Sequence, residues 1–369
     1  MTSSDMRPRP SRFARVLRAV AVCALGAIVA GPAVASPPET RNGATAKAPK
    51  KKKKKKSAPS APRVKTVAKK PPPPPPPPLE GATFDYDYDG RDVGHPERRW
   101  MGRAFIPKKA AAISGASGQA LPVLVFLHGN NGDGIKYRWM GGGAEGDVRR
   151  IVAEMIEAGT VAPMIVAAPS SIDPYTMTNA GASWPSFDLD LFLDRTADRL
   201  GAAAVIDRGR VVVAAHSGGG CNIRGGLNTA AHAKGTPVLG AMSIDTCMLL
   251  DLAQSLAHLR PTTHVVVSWQ SVSWPEREFA AFKSVFLKES KKAPANPGVL
   301  RELDFLEPNV PGPHDALVGI SLRKWLPRML PPPPAPPAPV TPADAPPPPI
   351  TAAEPERPPA PPRVDGGAP

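Results

Sequence analysis

Ser217 stands where a hydroxyl could become a nucleophile. It follows Val211-Val212-Val213-Ala214-Ala215-His216 and precedes Gly218-Gly219-Gly220. Three β-branched residues and two alanines suit a buried parallel strand, and the glycines break it into a turn. A serine on a sharp strand-to-helix turn must hold an unfavourable backbone conformation, so the residues two before and two after it must be small. Ala215 and Gly219 satisfy that condition. Such a turn lifts the hydroxyl clear of the sheet, and a helix starting there would aim its unpaired N–H groups and positive dipole end at the same point. The competing use of a glycine-rich turn is phosphate binding or plain packing.

The elements that must position this serine are legible as apolar runs. Leu121-Pro122-Val123-Leu124-Val125-Phe126-Leu127 reads as a second buried strand, ending in His128-Gly129-Asn130-Asn131-Gly132. Further strands are predicted over residues 100–107, 162–169, 238–244 and 264–269. Helices are predicted over 148–158, over 187–200, and after residue 314, where Leu317, Ile320, Leu322, Trp325 and Leu326 mark the apolar face. This alternation implies an α/β fold with a mostly parallel central sheet covered by helices on both faces. The glycine-rich loop carrying Tyr137 and Trp139, and the polar loop 170–186 carrying Tyr175 and Trp184, are expected to wall a cleft above the strand ends. Residues 207–210 read as the turn into the serine strand.

Ala215-His216-Ser217-Gly218-Gly219 resembles the nucleophile elbow of the α/β-hydrolases, G-x-S-x-G with alanine in the first small position. The resemblance extends over about residues 100–330. It implies a Ser-His-acid triad in the chain order serine, acid, histidine, acting through an acyl-enzyme with no cofactor and no metal. It also implies that the backbone N–H just after His-Gly, that of Asn130, shares the oxyanion with that of Gly218, and that His128 braces the loop. Seven histidines are present. His95 and His128 precede the serine, and His216 is adjacent to it and points the wrong way on an elbow. Of His232, His258, His264 and His314, only His314 follows every predicted strand, in Pro311-Gly312-Pro313-His314-Asp315 before the closing helix. That is where the family's histidine sits; otherwise this residue caps the helix.

For the acid, Asp245 stands at the C-terminal end of the predicted strand 238–244, where active-site groups of an open α/β sheet belong. Most members of the family carry the acid one strand later. Here that strand ends Ser268-Trp269-Gln270-Ser271, with no carboxylate until Glu276. Ile244-Asp245-Thr246 is similar to the arrangement in esterases and lipases resembling platelet-activating-factor acetylhydrolase. Asp245 is therefore the first choice and Glu276 the alternative.

Composition bounds the rest. Of 369 residues, 50 are proline, concentrated at the two ends. Residues 1–35 have a positive start (Arg7, Arg9, Arg12, Arg15, Arg18), an apolar stretch over 19–30 and an Ala33-Val34-Ala35 cleavage signal. The stretch is too short to remain as a membrane anchor, so a secreted or periplasmic protein cleaved after Ala35 is expected. Residues 36–80 form a Lys/Pro-rich linker with lysines from Lys50 to Lys56, residues 81–330 the α/β-hydrolase domain, and residues 331–369 a proline-rich tail. The net charge of +14 is misleading. Residues 1–80 hold 18 Lys or Arg against 3 Asp or Glu, and the remainder 28 against 29. The folded part thus offers no charge for specific nucleic-acid binding, and any attachment to an acidic envelope surface belongs to the lysine run.

Asp85-Tyr86-Asp87-Tyr88-Asp89-Gly90 opens like a calcium loop, but its twelfth position is Pro96, and an entry strand or acidic loop is the other reading. After cleavage the cysteines are Cys221 and Cys247, on adjacent strand ends. Export favours a disulfide between them over two free thiols. The function expected is secreted hydrolysis of an ester or amide in a small-molecule, lipid or peptide acyl substrate. The alternative is a non-catalytic envelope-binding protein on the same fold. Intact-mass measurement of exported protein is expected to give a chain starting at Ser36; a chain retaining Met1 excludes the cleaved leader.

Overall fold

A computed structural model describes residues 77–89, 99–173, 177–307 and 309–334. The expected leader, most of the linker, the tail beyond residue 334, and His95, Pro96 and Tyr175 lie outside the described residues. Among the described residues there are eight strands: β1 (Gly81–Asp89), β2 (Arg99–Pro107), β3 (Leu121–Leu127), β4 (Ile165–Ser170), β5 (Ile206–His216), β6 (Val238–Ile244), β7 (His264–Trp269) and β8 (Arg301–Phe305). They make one sheet in the order β1-β2-β4-β3-β5-β6-β7-β8. The pairs β1–β2 and β2–β4 are antiparallel and all later pairs parallel. The helices are α1 (Lys108–Ser117), α2 (Val148–Glu157), α3 (Leu189–Leu200), α4 (Gly226–Ala231), α5 (Leu250–Ala257), α6 (Glu276–Lys292) and α7 (Pro313–Met329).

Every residue of β3 is buried, which is why the strand reads as an unbroken apolar run rather than an alternation. Val123, Val125, Val211 and Val213 pack with Phe192 of α3, Leu252 of α5 and Phe282 of α6. Leu124, Phe126, Val212 and Ala214 pack with Val152 of α2 and with Leu317, Leu322 and Trp325 of α7. Successive side chains along a strand point to opposite faces, so this segregation places helices on both sides of the sheet. Asp147 caps α2 and Asp188 caps α3, each side chain accepting a backbone N–H of the first turn. The result is the expected α/β fold, a mostly parallel sheet covered by helices on both faces. Among the described residues no helix is long and apolar enough to cross a membrane.

Some elements depart from the expectation. Residues 207–210 lie inside β5, where the β3 register jumps from Leu121↔Ile206 to Val123↔Val211 and the extra residues form an irregularity. Helices α1, α5 and α6 and strand β8 lie outside the expected elements. Asp85 to Asp89 lie in edge strand β1, the entry-strand reading of the acidic motif. Asp85 is paired there with Arg103 through two bonds of 2.6 and 2.7 Å, while the next residue, Tyr86, bonds Thr196 of α3 at 2.6 Å. Asp85 and Asp87, two apart, share one face but stand roughly 6–7 Å apart along the strand, so an extended strand does not curl its carboxylates round one ion as a calcium loop does.

An aromatic group pins the loop between β4 and α3 to the sheet. Trp100 meets Trp184 edge-on at 5.7 Å and stacks on Phe187 at 6.3 Å, and Trp184 Nε1 donates to the His128 carbonyl at 2.8 Å. Trp100→Ala is expected to destabilise the mature protein by about 3–5 kcal/mol in urea unfolding, with loss of order reaching the His128 loop. A change below about 1 kcal/mol would show that the group does not act as core.

Candidate active site

Strand β5 ends at His216, and Ser217 follows with φ of +54°. For a residue with a Cβ this left-handed conformation costs about 1–3 kcal/mol and needs surroundings that enforce it. The half-buried serine begins a single 3-10 turn, Ser217–Gly220, and regular helix resumes only at Gly226. The sequence pointed to a helix starting at the serine; three consecutive glycines lack the propensity to propagate one. Donors of this tight turn, not a long helix, therefore stand beside the hydroxyl. The elbow presses on the end of β3 so closely that a Cβ at Gly129 would lie 2.6 Å from that of Ser217. A Cβ at Gly218 would lie 3.1 Å from the Asn130 backbone nitrogen. The backbones of Asn130 and Gly218 thus lie against each other next to the serine.

The loop after β3 is held by side chains. Asn131, fully buried, accepts from Ile135 N at 2.9 Å and donates to the Ile135 and Ser171 carbonyls at 2.9 and 3.0 Å. Arg138 donates through Nη1 to the Asn130 carbonyl and pairs with Glu145 at 2.9 Å. His128 is also fully buried, with Nδ1 2.8 Å from the Gly129 carbonyl. Burial, opposed by that bond and aided by the Arg138 charge, lowers its pKa to about 4. A neutral imidazole in this place braces the loop and carries no proton for catalysis. Trp139, with φ of +65°, is buried, so this part of the glycine-rich loop packs inward and does not wall a cleft.

His314 lies in the first turn of α7 and donates from Nδ1 to Asp245 Oδ2 at 2.5 Å. Asp245 follows β6 directly, has φ of +48° and is fully buried. Three groups from the loop after β7 hold this pair. Gln270 Nε2 donates to Asp245 Oδ2 at 2.6 Å, Ser273 Oγ lies 3.2 Å from His314 Nδ1, and Trp274 Nε1 donates to the Asp245 carbonyl at 3.2 Å. Glu276 instead lies exposed at the start of α6, lining an open cavity of about 510 Å³ with Trp269, Phe279 and Phe305. Cys221 and Cys247 form a disulfide, Cα atoms 4.9 Å apart, tying the chain just past Ser217 to the loop just past Asp245.

His216 does more than point away. Its ring lies 4.4 Å from that of His314 and 5.4 Å from Trp139, and its Nε2 donates to the His314 carbonyl at 3.1 Å. Burial first, and the neighbouring His314 charge second, hold its pKa well below the ordinary imidazole value. Among the described residues no hydrogen bond joins the Ser217 hydroxyl to His314. The imidazole is held against the residue preceding the serine, and such contacts often tighten only when substrate is bound. Asn131, Gln270 and Ser273 were not singled out for roles from the sequence. Their one signal is a polar residue placed just past the C-terminal end of an apolar strand.

No family model matches the chain, and no curated protein does. Solved structures similar in fold include a ferulic acid esterase, 13% identical over 68% of this chain and 98% of its own with a TM-score of 0.47. The feruloyl esterase module from Clostridium thermocellum, as an S954A mutant complexed with sinapinate, is 12% identical over 69% and 89% with a TM-score of 0.44. An S-formylglutathione hydrolase from Staphylococcus aureus is 12% identical over 68% and 99% with a TM-score of 0.43. Roles for the residues above rest on this chain's own geometry.

The buried histidines set a dependence on pH. The folded state keeps His128 neutral down to about pH 4, whereas an unfolded chain protonates it near pH 6.5. Between these values the unfolded state binds more protons, so the stability from keeping this residue neutral is complete above about pH 6.5 and is lost as pH falls toward 4. Urea midpoints are expected to fall steadily from pH 7 to pH 4.5, and His128→Gln should flatten that slope. An unchanged slope in the variant would remove His128 from the acid response.

Proposed function

We propose that this protein is an exported serine hydrolase that cleaves an ester, by way of an acyl-enzyme. The observation that carries this reading is the buried Asp245 carboxylate bonded to His314 Nδ1, next to an elbow that holds Ser217 in a left-handed conformation. In this scheme Ser217 Oγ attacks the acyl carbon as its proton passes to His314 Nε2. Asp245 stays ionised; it keeps the imidazole in the Nδ1–H tautomer and stabilises the imidazolium that forms. The Gly218 and Asn130 N–H groups receive the oxygen as it becomes negative, worth roughly 3 kcal/mol each. His314 then returns the proton to the leaving alcohol, and water repeats the sequence to release the acid. Nothing in this sequence of steps calls for a cofactor.

The arrangement favours an ester or another activated acyl group over no chemistry at all, since a folded binding protein has no need of a strained serine facing two backbone donors. Export is part of the proposal: it makes residues 1–35 the leader and leaves Lys50 to Lys56 on the mature chain as a basic segment able to hold an acidic surface.

A fluorophosphonate probe is expected to label the mature chain at Ser217, found by peptide mass mapping, and to leave Ser217→Ala unlabelled. Asp245→Asn should lower turnover of a p-nitrophenyl ester by about 10⁴-fold while the chain stays folded. Folded protein that takes up no probe would instead favour the non-catalytic, envelope-binding role.

A further inference from the structure

His216, His314 and Asp315 form a cluster that the proposed mechanism uses only through His314. One ring nitrogen of each histidine and a carboxylate oxygen of Asp315 lie within 4.8 Å of one another. His216 Nε2 is 4.0 Å from Asp315 Oδ1. The His216 side chain is buried, while His314 and Asp315 are about one-third exposed, at 34% and 37%. The cluster therefore has a fixed floor and an open side facing solvent. Tetrahedral zinc bound at about 2.0–2.2 Å places its ligand atoms roughly 3.4 Å apart. Rotation of the partly exposed Asp315 side chain brings its carboxylate toward the two rings without moving the buried one.

We propose that these three residues form an inhibitory site for a transition-metal dication, with Zn²⁺ the reference ion, and that its binding withdraws His314 from proton transfer. Two imidazoles and one carboxylate make a nitrogen-rich set that suits Zn²⁺, Co²⁺, Ni²⁺ or Cu²⁺. Mg²⁺ and Ca²⁺ require oxygen ligands. His314 Nδ1 is already committed to Asp245, which leaves Nε2 to the ion. A carboxylate holding Nδ1–H is also the arrangement that orients a histidine to ligate zinc through its other nitrogen. One carboxylate thus prepares the same imidazole for two exclusive partners, the serine proton and the metal. His216 Nε2 now donates to the His314 carbonyl; it binds the ion as that bond is given up and its proton moves to Nδ1, so the ion enters without net proton release from that ring. Water completes the coordination on the open side.

Binding does not depend on the serine-hydrolase reading; the inhibition does. The untagged mature protein, stripped with EDTA, is titrated with Zn²⁺ by calorimetry, and ester turnover and fluorophosphonate labelling are followed in parallel. One Zn²⁺ per chain is expected to bind at micromolar concentration and to abolish turnover and labelling together, with EDTA restoring both and millimolar Mg²⁺ doing neither. Asp315→Asn and Asp315→Ala are expected to keep turnover in EDTA and to weaken both binding and inhibition by at least about tenfold. Absence of binding at millimolar Zn²⁺, or binding indifferent to both Asp315 variants, overturns the site. Binding that weakens in the variants while turnover ignores the metal leaves the site standing and instead overturns the role given to His314.

Discussion

The bond from His314 Nδ1 to Asp245 Oδ2 is the contact on which the rest of the candidate site depends. It joins two loops 69 residues apart in the chain, and one partner is an entirely buried carboxylate. A carboxylate taken out of water is stabilised only where donors converge on it. The structure supplies them from the end of the next strand, where Gln270 turns its amide N–H toward Asp245 and uses its own carbonyl to accept from Val272 and Ser273.

Register sets the spacing of the two strained residues. In the parallel pair β5–β6 the last partners are His216 and Ile244, and the residues that follow them are Ser217 and Asp245. Both leave their strands with positive φ. Each such turn costs about 1–3 kcal/mol and persists because its surroundings over-determine it. The surroundings are the end of β3 pressed against Ser217, the Cys221–Cys247 disulfide just beyond both turns, and Thr246, which occupies the space a side chain at Gly220 would need. Strain in the two turns is thus held by the sheet and one covalent link.

Two neutral histidines brace loops of the candidate site, and a third, His314, is the one that the proposed mechanism asks to exchange protons. His128 and His216 are buried, and burial keeps both uncharged at neutral pH. Each lends one ring nitrogen to a backbone carbonyl of a site loop. His314 alone retains access to solvent, about one-third of its side chain being exposed. Differences in burial, and no difference in chemical type, separate the three roles.

The sequence by itself determined the α/β alternation, the elbow at Ser217 and the loop at Asn130, because each is written in consecutive residues: a β-branched run, then glycine. It brought His314 and Asp245 forward only by chain order and by resemblance, and left Glu276 open. The tertiary structure puts Asp245, and not Glu276, against His314, since which carboxylate meets an imidazole depends on which strand ends lie side by side, and strand order is not a local property. The same holds for the parts with no clear sequence signal. Gln270 reaches Asp245 only when β7 is laid beside β6, the acidic motif becomes a strand by pairing along its length with β2, and His216 faces His314 because α7 returns over the elbow. Short-range steric and hydrophobic preferences are readable along a chain; contacts between residues tens of positions apart arise from packing the elements against one another.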